Sequence, residues 1–197
     1  MASSHTMTFE DTKEQILSRL DKSKKGTIDT RIQNLCNIIN KNPCLFTLSS
    51  CSGRVAFLEL QKGNDKRFAN WLIITHDLAN PEQFKQTLNT YNGQHKIFFK
   101  QESVILHICA KTLEAAQQIV DKARENGFRR SGIFSTRKKI NIELISAEQL
   151  STPVFDKQKL ITDDYLSYLI DHANKKQKKS WDAIERLTNA VEKTSPQ

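Results

Sequence analysis

The sequence predicts an α+β protein, a single domain in which an antiparallel or mixed sheet is flanked by helices. In some segments apolar residues recur at helical spacing, and in others, such as 139–145, they alternate with polar residues. The helical stripe is clearest at Ile32, Leu35, Cys36 and Ile39. The chain has only 6 glycines in 197 residues and lacks a glycine-rich nucleotide fingerprint, so a Rossmann-type methyltransferase sheet is not expected.

The predicted helices rest on this spacing and on signals at their ends. Thr8 and Asp11 have the spacing of a capping box, and Asn80 before Pro81 is a typical helix start. Gly127 is placed to end the fourth helix as its C′ residue. Five helices are predicted. The first begins after Thr8, the second covers 27–40, the third begins after Asn80, the fourth covers 113–126, and the fifth runs from Thr162 almost to the C-terminus. The last helix is expected to bury a stripe that begins at Tyr165 and includes Gln177 and Trp181.

Short apolar or alternating segments between the helices predict the strands. They are 44–48, 54–60, 71–75, 96–101, 103–110, 131–135 and 139–145. The first two are expected to form a hairpin around a serine-rich turn, and 146–155 is expected to be an irregular connector. Helices 27–40 and 113–126 each precede a predicted hairpin with a Ser-Gly step beside an arginine, which suggests an internal helix–hairpin duplication.

Composition limits the class of protein and of partner. The net charge of +8 favours a polyanionic partner, with RNA or DNA ahead of a membrane, although solvated faces are often lysine-rich as well. The basic residues are grouped in three places, which are 22–25, 129–139 and 175–179. No run approaches the roughly 20 apolar residues of a membrane span. No signal peptide and no C-x-x-C pair occur, so a cytoplasmic protein with reduced cysteines is expected.

The ends of the chain set the expected domain limits. Residues 1–7 are interpreted as a tag remnant or disordered start, 8–193 as the single domain, and 194–197 as a frayed tail. The sequence does not indicate an oligomeric state.

The stretch 48–55 concentrates polar chemistry within a few residues. Ser50, Cys51, Ser52 and Gly53 favour a tight turn whose N–H groups are available to a ligand, and Arg54 adds a planar cation. This is a plausible cradle for a carboxylate, a phosphate or a polar heterocycle. A simple hairpin turn, in which the hydroxyls satisfy their own backbone, explains the same residues.

Other candidate residues are weaker by themselves. His76 stands at a strand end and His107 within a strand, and the histidines are not spaced as metal ligands, so no metal site is predicted. Trp71 could be half-buried core or could stack on a base. The segment from Lys100 to Glu102 is interpreted as a charged hairpin turn. Cys51 could serve as a nucleophile if a histidine lies next to it.

Several separated motifs, taken together, resemble one family. They are 48–54, Trp71 with His76, 99–102 leading to His107, and 127–133. In this order they resemble the family of the third wybutosine-synthesis protein, and 21–29 and 165–175 look like other parts of the same pattern. The resemblance covers residues 9 to 180. Two departures are Ser103, where a proline is common, and the longer loop after Lys62.

The resemblance implies an S-adenosylmethionine-dependent tRNA methyltransferase. Its members methylate a ring nitrogen of a tricyclic guanine derivative next to the anticodon of phenylalanine tRNA, and their fold is α+β. The implied partner is therefore the anticodon stem-loop of that tRNA, with no membrane. A non-enzymatic RNA-binding module is the alternative, and a cysteine hydrolase built on Cys51 and His76 is a third hypothesis.

On this interpretation the candidate residues receive specific roles. His76 and then His107 are the expected proton acceptors. The donor and base pocket is assigned to two arginine-flanked bends, expected to share one cleft. The expected cofactor contacts are Ser50, Cys51, Ser52, Gly53, Arg54, Arg129, Ser131 and Gly132. The expected substrate contacts are Trp71, Lys100, Glu102, Lys175, Lys176, Lys178 and Lys179.

Overall fold

The structure is a computed structural model that describes residues 7–18, 28–60 and 69–193. Its helices are α1 Phe9–Leu17, α2 Thr30–Lys41, α3 Pro81–Thr90, α4 Leu113–Glu125 and α5 Asp163–Glu192. Its strands are β1 Leu45–Cys51, β2 Arg54–Leu60, β3 Ala69–Thr75, β4 Lys96–Glu102, β5 Ile105–Ala110, β6 Gly132–Ser135, β7 Ile140–Ile145, β8 Leu150–Asp156 and β9 Gln158–Lys159. The predicted tag remnant apart from Met7, the lysines of 22–25, the frayed tail and most of the loop after Lys62 lie outside the described residues. Ala69 and Asn70, predicted to end that loop, instead begin β3.

The strands form two antiparallel sheets, which confirms the predicted α+β class. Sheet A has the order β1-β5-β7-β6, and sheet B has the order β3-β2-β4-β8-β9. Every pairing between the described strands is antiparallel. Within the described residues, no helix is both long enough and apolar enough to cross a membrane.

The chain divides into two compact units, and each contains one sheet. In the described part of the chain, the first unit comprises 7–18, 28–51, 105–146 and 183–193, and the second comprises 52–60, 69–104 and 147–182. The units alternate along the sequence, so neither corresponds to one continuous segment. The single catalytic domain predicted for 8–193 stays a prediction.

The predicted hairpin of the first two strands is wrong. β1 pairs with β5 in sheet A, whereas β2 pairs with β3 and β4 in sheet B. The reason is the burial of β2, because Val55 to Glu59 are all buried and a strand buried on both faces takes the centre of a sheet. The predicted duplication therefore does not hold past the first strand, because β6 and β7 pair with each other whereas β1 and β2 do not.

Two further predictions fail at connections. The segment from Lys100 to Glu102 is not a hairpin turn but the end of β4, and the chain then enters β5 of the other sheet. The predicted connector 146–155 contains strand β8, which pairs with β4. Pro153 is tolerated there because it lies beside the register shift at Ile97 and Phe98, where the ladder is irregular.

Each unit has its own apolar packing. In the first unit, Leu106, Ile142 and Leu144 are fully buried on one face of sheet A. Ile32 of α2 is fully buried as well. In the second unit, one buried cluster joins sheet B to α3 and to the first half of α5. Its largest members are Phe57, Phe84, Phe99, Ile97 and Phe155. The Phe57 and Phe84 rings meet edge-on with centroids 5.0 Å apart, a favourable aromatic geometry.

The predicted helix signals are confirmed by the hydrogen bonds at the ends. Thr8 and Asp11 form a reciprocal capping box on α1, and the Asn80 side chain caps α3. Gly127 has φ +102°, and the Phe128 N–H donates to the Ala123 carbonyl in a Schellman motif. The predicted stripe of α5 is confirmed at Gln177 but is wrong at Tyr165, which is exposed because Leu166 takes the buried position.

Candidate active site

A compact charged cluster lies at one end of sheet B in the second unit. Arg54 starts β2, and its register partner Glu102 ends β4. Arg54 Nε donates to Glu102 Oε2 at 2.5 Å, and Lys100 Nζ donates to Glu102 Oε1 at 2.7 Å. The Arg54 guanidinium also lies 4.5 Å from the ring centre of Trp71 on β3. We call Arg54, Trp71, Lys100 and Glu102 the Arg54 cluster.

The electrostatics of this cluster keep Glu102 ionised. Burial of Glu102 by itself raises its pKa, but the hydrogen bond from Lys100 and the charge of Arg54 outweigh burial, so the pKa lies below its ordinary value. The cluster therefore presents a carboxylate, an ammonium and a guanidinium beside an aromatic face. Such a set can bind a ligand that carries both signs of charge and a flat ring.

Side chains of α5 bind the turn Ser52–Gly53, which precedes Arg54. Trp181 Nε1 donates to the Ser52 carbonyl at 3.2 Å, and the buried Gln177 also reaches that oxygen. Gly53 has φ +85°, and a Cβ there would meet the Glu102 carbonyl oxygen at 3.0 Å. Only glycine fits this position without strain. Ser52 and Gly53 therefore shape the backbone beside Arg54.

His76 belongs to the same part of the second unit. Its Nδ1 lies 3.1 Å from the Gly53 carbonyl oxygen, so Nδ1 carries the proton and donates. The Asn174 side chain binds both the N–H and the carbonyl of Ala79, which fixes the segment that follows His76. The predicted proton acceptor thus lies next to the turn that presents Arg54.

The other predicted histidine lies in the first unit and has two polar partners. His107 Nδ1 lies 2.8 Å from Ser49 Oγ, and its Nε2 lies 3.0 Å from Glu143 Oε1. Ser49, His107 and Glu143 are register partners on β1, β5 and β7, so they form one row across sheet A. Phe134 of β6 is 60% exposed, and its ring meets His107 edge-on at 6.0 Å.

Strand alternation separates the predicted residues of β1. Ser49 and Cys51 share the face of His107, because their register partners are His107 and Ile105. Ser50 points to the opposite face, where its hydroxyl interacts with Cys36 of α2. Burial raises the pKa of that thiol to about 11, and the Ser50 hydroxyl partly offsets this. Ser50 therefore supports the packing of α2, and Ser49 takes the place on the open face.

The second predicted bend, 129–132, is mostly occupied by its own hydrogen bonds. Ser131 Oγ donates to the Phe128 carbonyl and accepts from the Ile145 N–H, while the Ser131 carbonyl accepts from Arg124. Arg129 is exposed. The Arg130 guanidinium is bound to the Ser146 carbonyl. The simple-turn interpretation therefore describes Ser131 well, whereas Arg129 is available to a ligand.

The two bends end at the same edge region of sheet A. Cys51 pairs with Ile105, Ile105 pairs with Ile145, and the Ile145 carbonyl accepts from Arg130 N–H. Three strand spacings of about 4.8 Å place the ends of β1 and β6 roughly 14 Å apart. That both bends line one cleft stays a prediction.

The basic segment of α5 is partly paired. Lys175 binds Asp171 at 2.7 Å, and Lys176 binds Glu148 at 2.7 Å. Lys178 and Lys179 are exposed, and no ion pair holds either of them within 7–18, 28–60 and 69–193. Within this segment, Lys178 and Lys179 are therefore better placed than Lys175 and Lys176 to contact a polyanion.

Comparison with known proteins decides the family. The family model described as "Methyltransferase TYW3" matches residues 11–193. The chain belongs to this methyltransferase family. It is 33% identical over 193 residues to the human "tRNA wybutosine-synthesizing protein 3 homolog", covering 93% of this chain and 72% of the relative.

An archaeal relative and a solved structure agree with this membership. A Thermococcus sibiricus protein is 32% identical over 94% of this chain and 95% of its own length. It is named "tRNA(Phe) 7-((3-amino-3-carboxypropyl)-4-demethylwyosine(37)-N(4))-methyltransferase". The solved structure of the PH1069 protein from Pyrococcus horikoshii matches with a TM-score of 0.85 and 30% identity, covering 93% of this chain and 95% of that one. The predicted resemblance is confirmed.

A methyltransferase needs a methyl donor, and the Arg54 cluster fits the usual one. S-adenosylmethionine carries a carboxylate, an ammonium, a sulfonium and a flat adenine. The ionised Glu102 suits its cationic groups, Arg54 and Lys100 suit its carboxylate, and Trp71 suits its ring. The residues present are compatible with this donor.

Sequence reasoning missed three residues of the candidate site. Ser49, rather than Ser50, lies on the face of His107, and neither Glu143 nor Phe134 is among the residues that the sequence predicts. A consistent period-two assignment of 45–51 would have paired Ser49 with Cys51 and so excluded Ser50 from that face. No sequence signal marks Glu143, because its role depends on β7 lying beside β5.

Proposed function

We propose that this methyltransferase transfers a methyl group from S-adenosylmethionine to a ring nitrogen of the tricyclic wybutosine precursor in phenylalanine tRNA. The relatives' names supply the substrate, and membership of the family supplies the reaction. The single structural observation that carries the site is the Arg54 cluster. Membership of a methyltransferase family favours this function over the RNA-binding module and the cysteine hydrolase.

The chain's residues bind and orient. Bound S-adenosylmethionine supplies an electrophilic methyl group on a sulfonium. Arg54 and the turn 52–53 would hold its carboxylate, and Glu102 and Trp71 would hold its cationic and aromatic parts. Lys100 fixes Glu102 in place, which limits the freedom that binding must remove.

The tRNA is proposed to bind through its anticodon stem-loop. The exposed Lys178 and Lys179 and the exposed Arg129 supply positive charge for its phosphates. A cytoplasmic location is proposed as well, because the relatives act on tRNA.

The direct test is methyl transfer by the purified chain to phenylalanine tRNA that carries the demethyl precursor. We expect a methylated nucleoside by mass spectrometry that depends on S-adenosylmethionine. Arg54→Ala should lower kcat/KM by about 100-fold, because it removes a charged contact to the donor. It also removes the contacts by which Arg54 positions the Glu102 carboxylate and the Trp71 ring. Arg31→Ala, an exposed arginine of α2, is the matched control and should retain activity.

Two outcomes would count against the proposal. Binding of tRNA with no methylated product would contradict the function. An Arg54→Ala chain as active as the native chain would contradict the placement of the donor.

A further inference from the structure

Three aromatic rings line up on the exposed face of α5 within the second unit. Tyr165, Tyr168 and His172 follow one another at i, i+3 and i+7, the spacing that places side chains on one face of a helix. The Tyr165 and Tyr168 rings are 6.2 Å apart between centroids and are tilted by only 19°. The Tyr168 and His172 rings are 6.3 Å apart and are tilted by 8°. The three rings therefore stand nearly parallel along the helix.

These rings do not belong to the core of the second unit. Tyr165 is 49% exposed, Tyr168 is 62% exposed, and His172 is exposed as well. The other face of the same helix is the buried one, where Leu166 and Ile170 are fully buried in the apolar cluster. That packing fixes which face of α5 turns outward. Large apolar side chains exposed singly are ordinary, but neighbouring aligned rings indicate an interaction surface.

Basic residues continue this face toward the middle of α5. Lys175 and Lys179 are exposed, and around an ideal helix all five positions lie within about 80° of one another. Lys175 pairs with Asp171 at 2.7 Å, but both side chains are more than half exposed, so a phosphate can replace this weak pair. The set, which we call the Tyr168 face, comprises Tyr165, Tyr168, His172, Lys175 and Lys179.

The chemistry of the Tyr168 face fits an unpaired nucleic-acid strand. Aromatic rings stack on the faces of unpaired bases, and cations beside them bind the phosphates that join those bases. The exposed acids Asp164 and Asp171 lie beside the aromatic end, so phosphates are expected over Lys175 and Lys179. At 1.5 Å per residue, 165–179 spans about 21 Å, which is long enough for several nucleotides.

We propose that the Tyr168 face is a stacking surface for unpaired nucleotides of the RNA substrate. Tyr165 and Tyr168 lie against base faces, and Lys175 and Lys179 contact phosphates. This inference rests on the proposed function for its partner, and its residues all belong to the second unit. The Tyr168 face touches no reacting atom, so its residues act in binding and not in the chemical step.

The direct test measures binding of RNA to the full chain by fluorescence anisotropy. One probe is a short labelled oligoadenylate, and the other is an RNA duplex of the same length, whose base faces are covered. Replacing both tyrosines, Tyr165→Ala with Tyr168→Ala, should raise the Kd for the single strand by about 100-fold. The Kd for the duplex should stay within about twofold, because phosphate contacts do not need an uncovered base.

Matched variants separate stacking from apolar contact. Tyr165→Leu with Tyr168→Leu keeps apolar area but removes the aromatic rings, so its binding should be as weak as that of the alanine variant. Tyr165→Phe with Tyr168→Phe keeps the rings and should bind like the native chain. Leu113→Ala removes an exposed apolar side chain from α4 and should change neither Kd. Urea unfolding of each variant shows that the fold is retained.

Three binding results would overturn the stacking surface. The first is an alanine variant that binds the single strand as tightly as the native chain. The second is a leucine variant with native affinity, because apolar contact would then explain the binding. The third is a dimer of the native chain that the alanine variant loses while RNA binding is unchanged, which would assign the Tyr168 face to a second copy of the chain.

Methyl transfer separates this inference from the proposed function. The alanine variant of both tyrosines should raise KM for tRNA by about tenfold with little change in kcat, because it removes binding and no part of the chemical step. Native values of both constants would overturn the stacking surface and leave the proposed function standing. A native chain that binds the single strand through its tyrosines but makes no methylated tRNA would overturn the proposed function and support the stacking surface.

Discussion

At the scale of single residues, the carboxylate of Glu102 pairs with two cations of the second unit, Arg54 and Lys100. One carboxylate accepts from Arg54 through one oxygen and from Lys100 through the other. All three side chains are partly buried, so removing one partner leaves a charge that water does not fully solvate. The cluster is therefore both a candidate ligand site and a contributor to stability.

Glu102→Gln should destabilise the fold in a pH-dependent way. Because the folded pKa of Glu102 is lowered, its contribution is complete above the unfolded carboxyl pKa of about 4.3. It is lost as pH falls through the folded pKa. Urea unfolding should show a deficit of about 2 kcal/mol at neutral pH, and the deficit should shrink in acid.

The matched control is Glu82→Gln, which removes an exposed pair with Lys85 on α3. Its effect should stay within about 0.5 kcal/mol at every pH. A Glu102→Gln deficit that is the same at neutral and acid pH would show that the charge of Glu102 does not stabilise the fold.

At the scale of elements, the turn between β1 and β2 depends on a helix that comes far later in the chain. Gln177 and Trp181 of α5 reach the Ser52 carbonyl, and Gln177 also binds Gln101 of β4. Gln177 is fully buried, so these hydrogen bonds replace water. Gln177, a polar residue on the buried stripe of α5, therefore helps to position the turn.

Gly53→Ala should destabilise the second unit and move Arg54. A Cβ at φ +85° is strained, and it would meet both the Glu102 carbonyl and the Gln177 side chain. We expect a loss of about 1–3 kcal/mol by urea unfolding, together with weaker binding of S-adenosylmethionine by calorimetry.

Gly132→Ala provides the matched control, because the nearest atom to its added Cβ is Arg124 Nη2 at 4.0 Å. Its stability should change by less than about 0.5 kcal/mol. Equal losses in the two variants would show that the conformation of Gly53 is not the cause.

At the scale of the whole molecule, the net charge of +8 favours binding to a polyanion. How strongly each basic residue contributes depends on whether a carboxylate of the protein already pairs with it. Two of the four lysines of the α5 segment are already paired with carboxylates. Lys178 and Lys179 are therefore expected to contact phosphates, and their effect should appear as salt dependence.

Reversing the charge of Lys178 and Lys179 together should reduce the salt slope of tRNA binding. Each lost phosphate contact should lower the slope of log affinity against log salt by about 0.7–0.9. Filter binding over a salt series measures this directly.

The control reverses Lys41 and Lys157, which are exposed and lie outside the basic segments. It changes the net charge by the same amount and should leave the slope nearly unchanged. An equal fall in both double variants would indicate a general field effect and remove the α5 segment from the footprint.

The sequence predicted local structure well because its causes are local. The capping box at Thr8, the start at Asn80 and the Schellman glycine at 127 each depend on residues within a few positions. Strand pairing was predicted poorly because it depends on distant partners. Ser52 and Gly53 look like a hairpin turn in sequence, yet they join two sheets.

The sequence by itself determined the α+β class, the helix ends, the family motifs and the residue types of the Arg54 cluster, since propensity, capping and motif order are properties of neighbouring residues. Only the tertiary structure decided that Arg54 meets Glu102 and Trp71, and that Ser49 rather than Ser50 meets His107. The physical reason is that a strand's side chains alternate between two faces, and the face that stays open depends on which strands and helices pack against it.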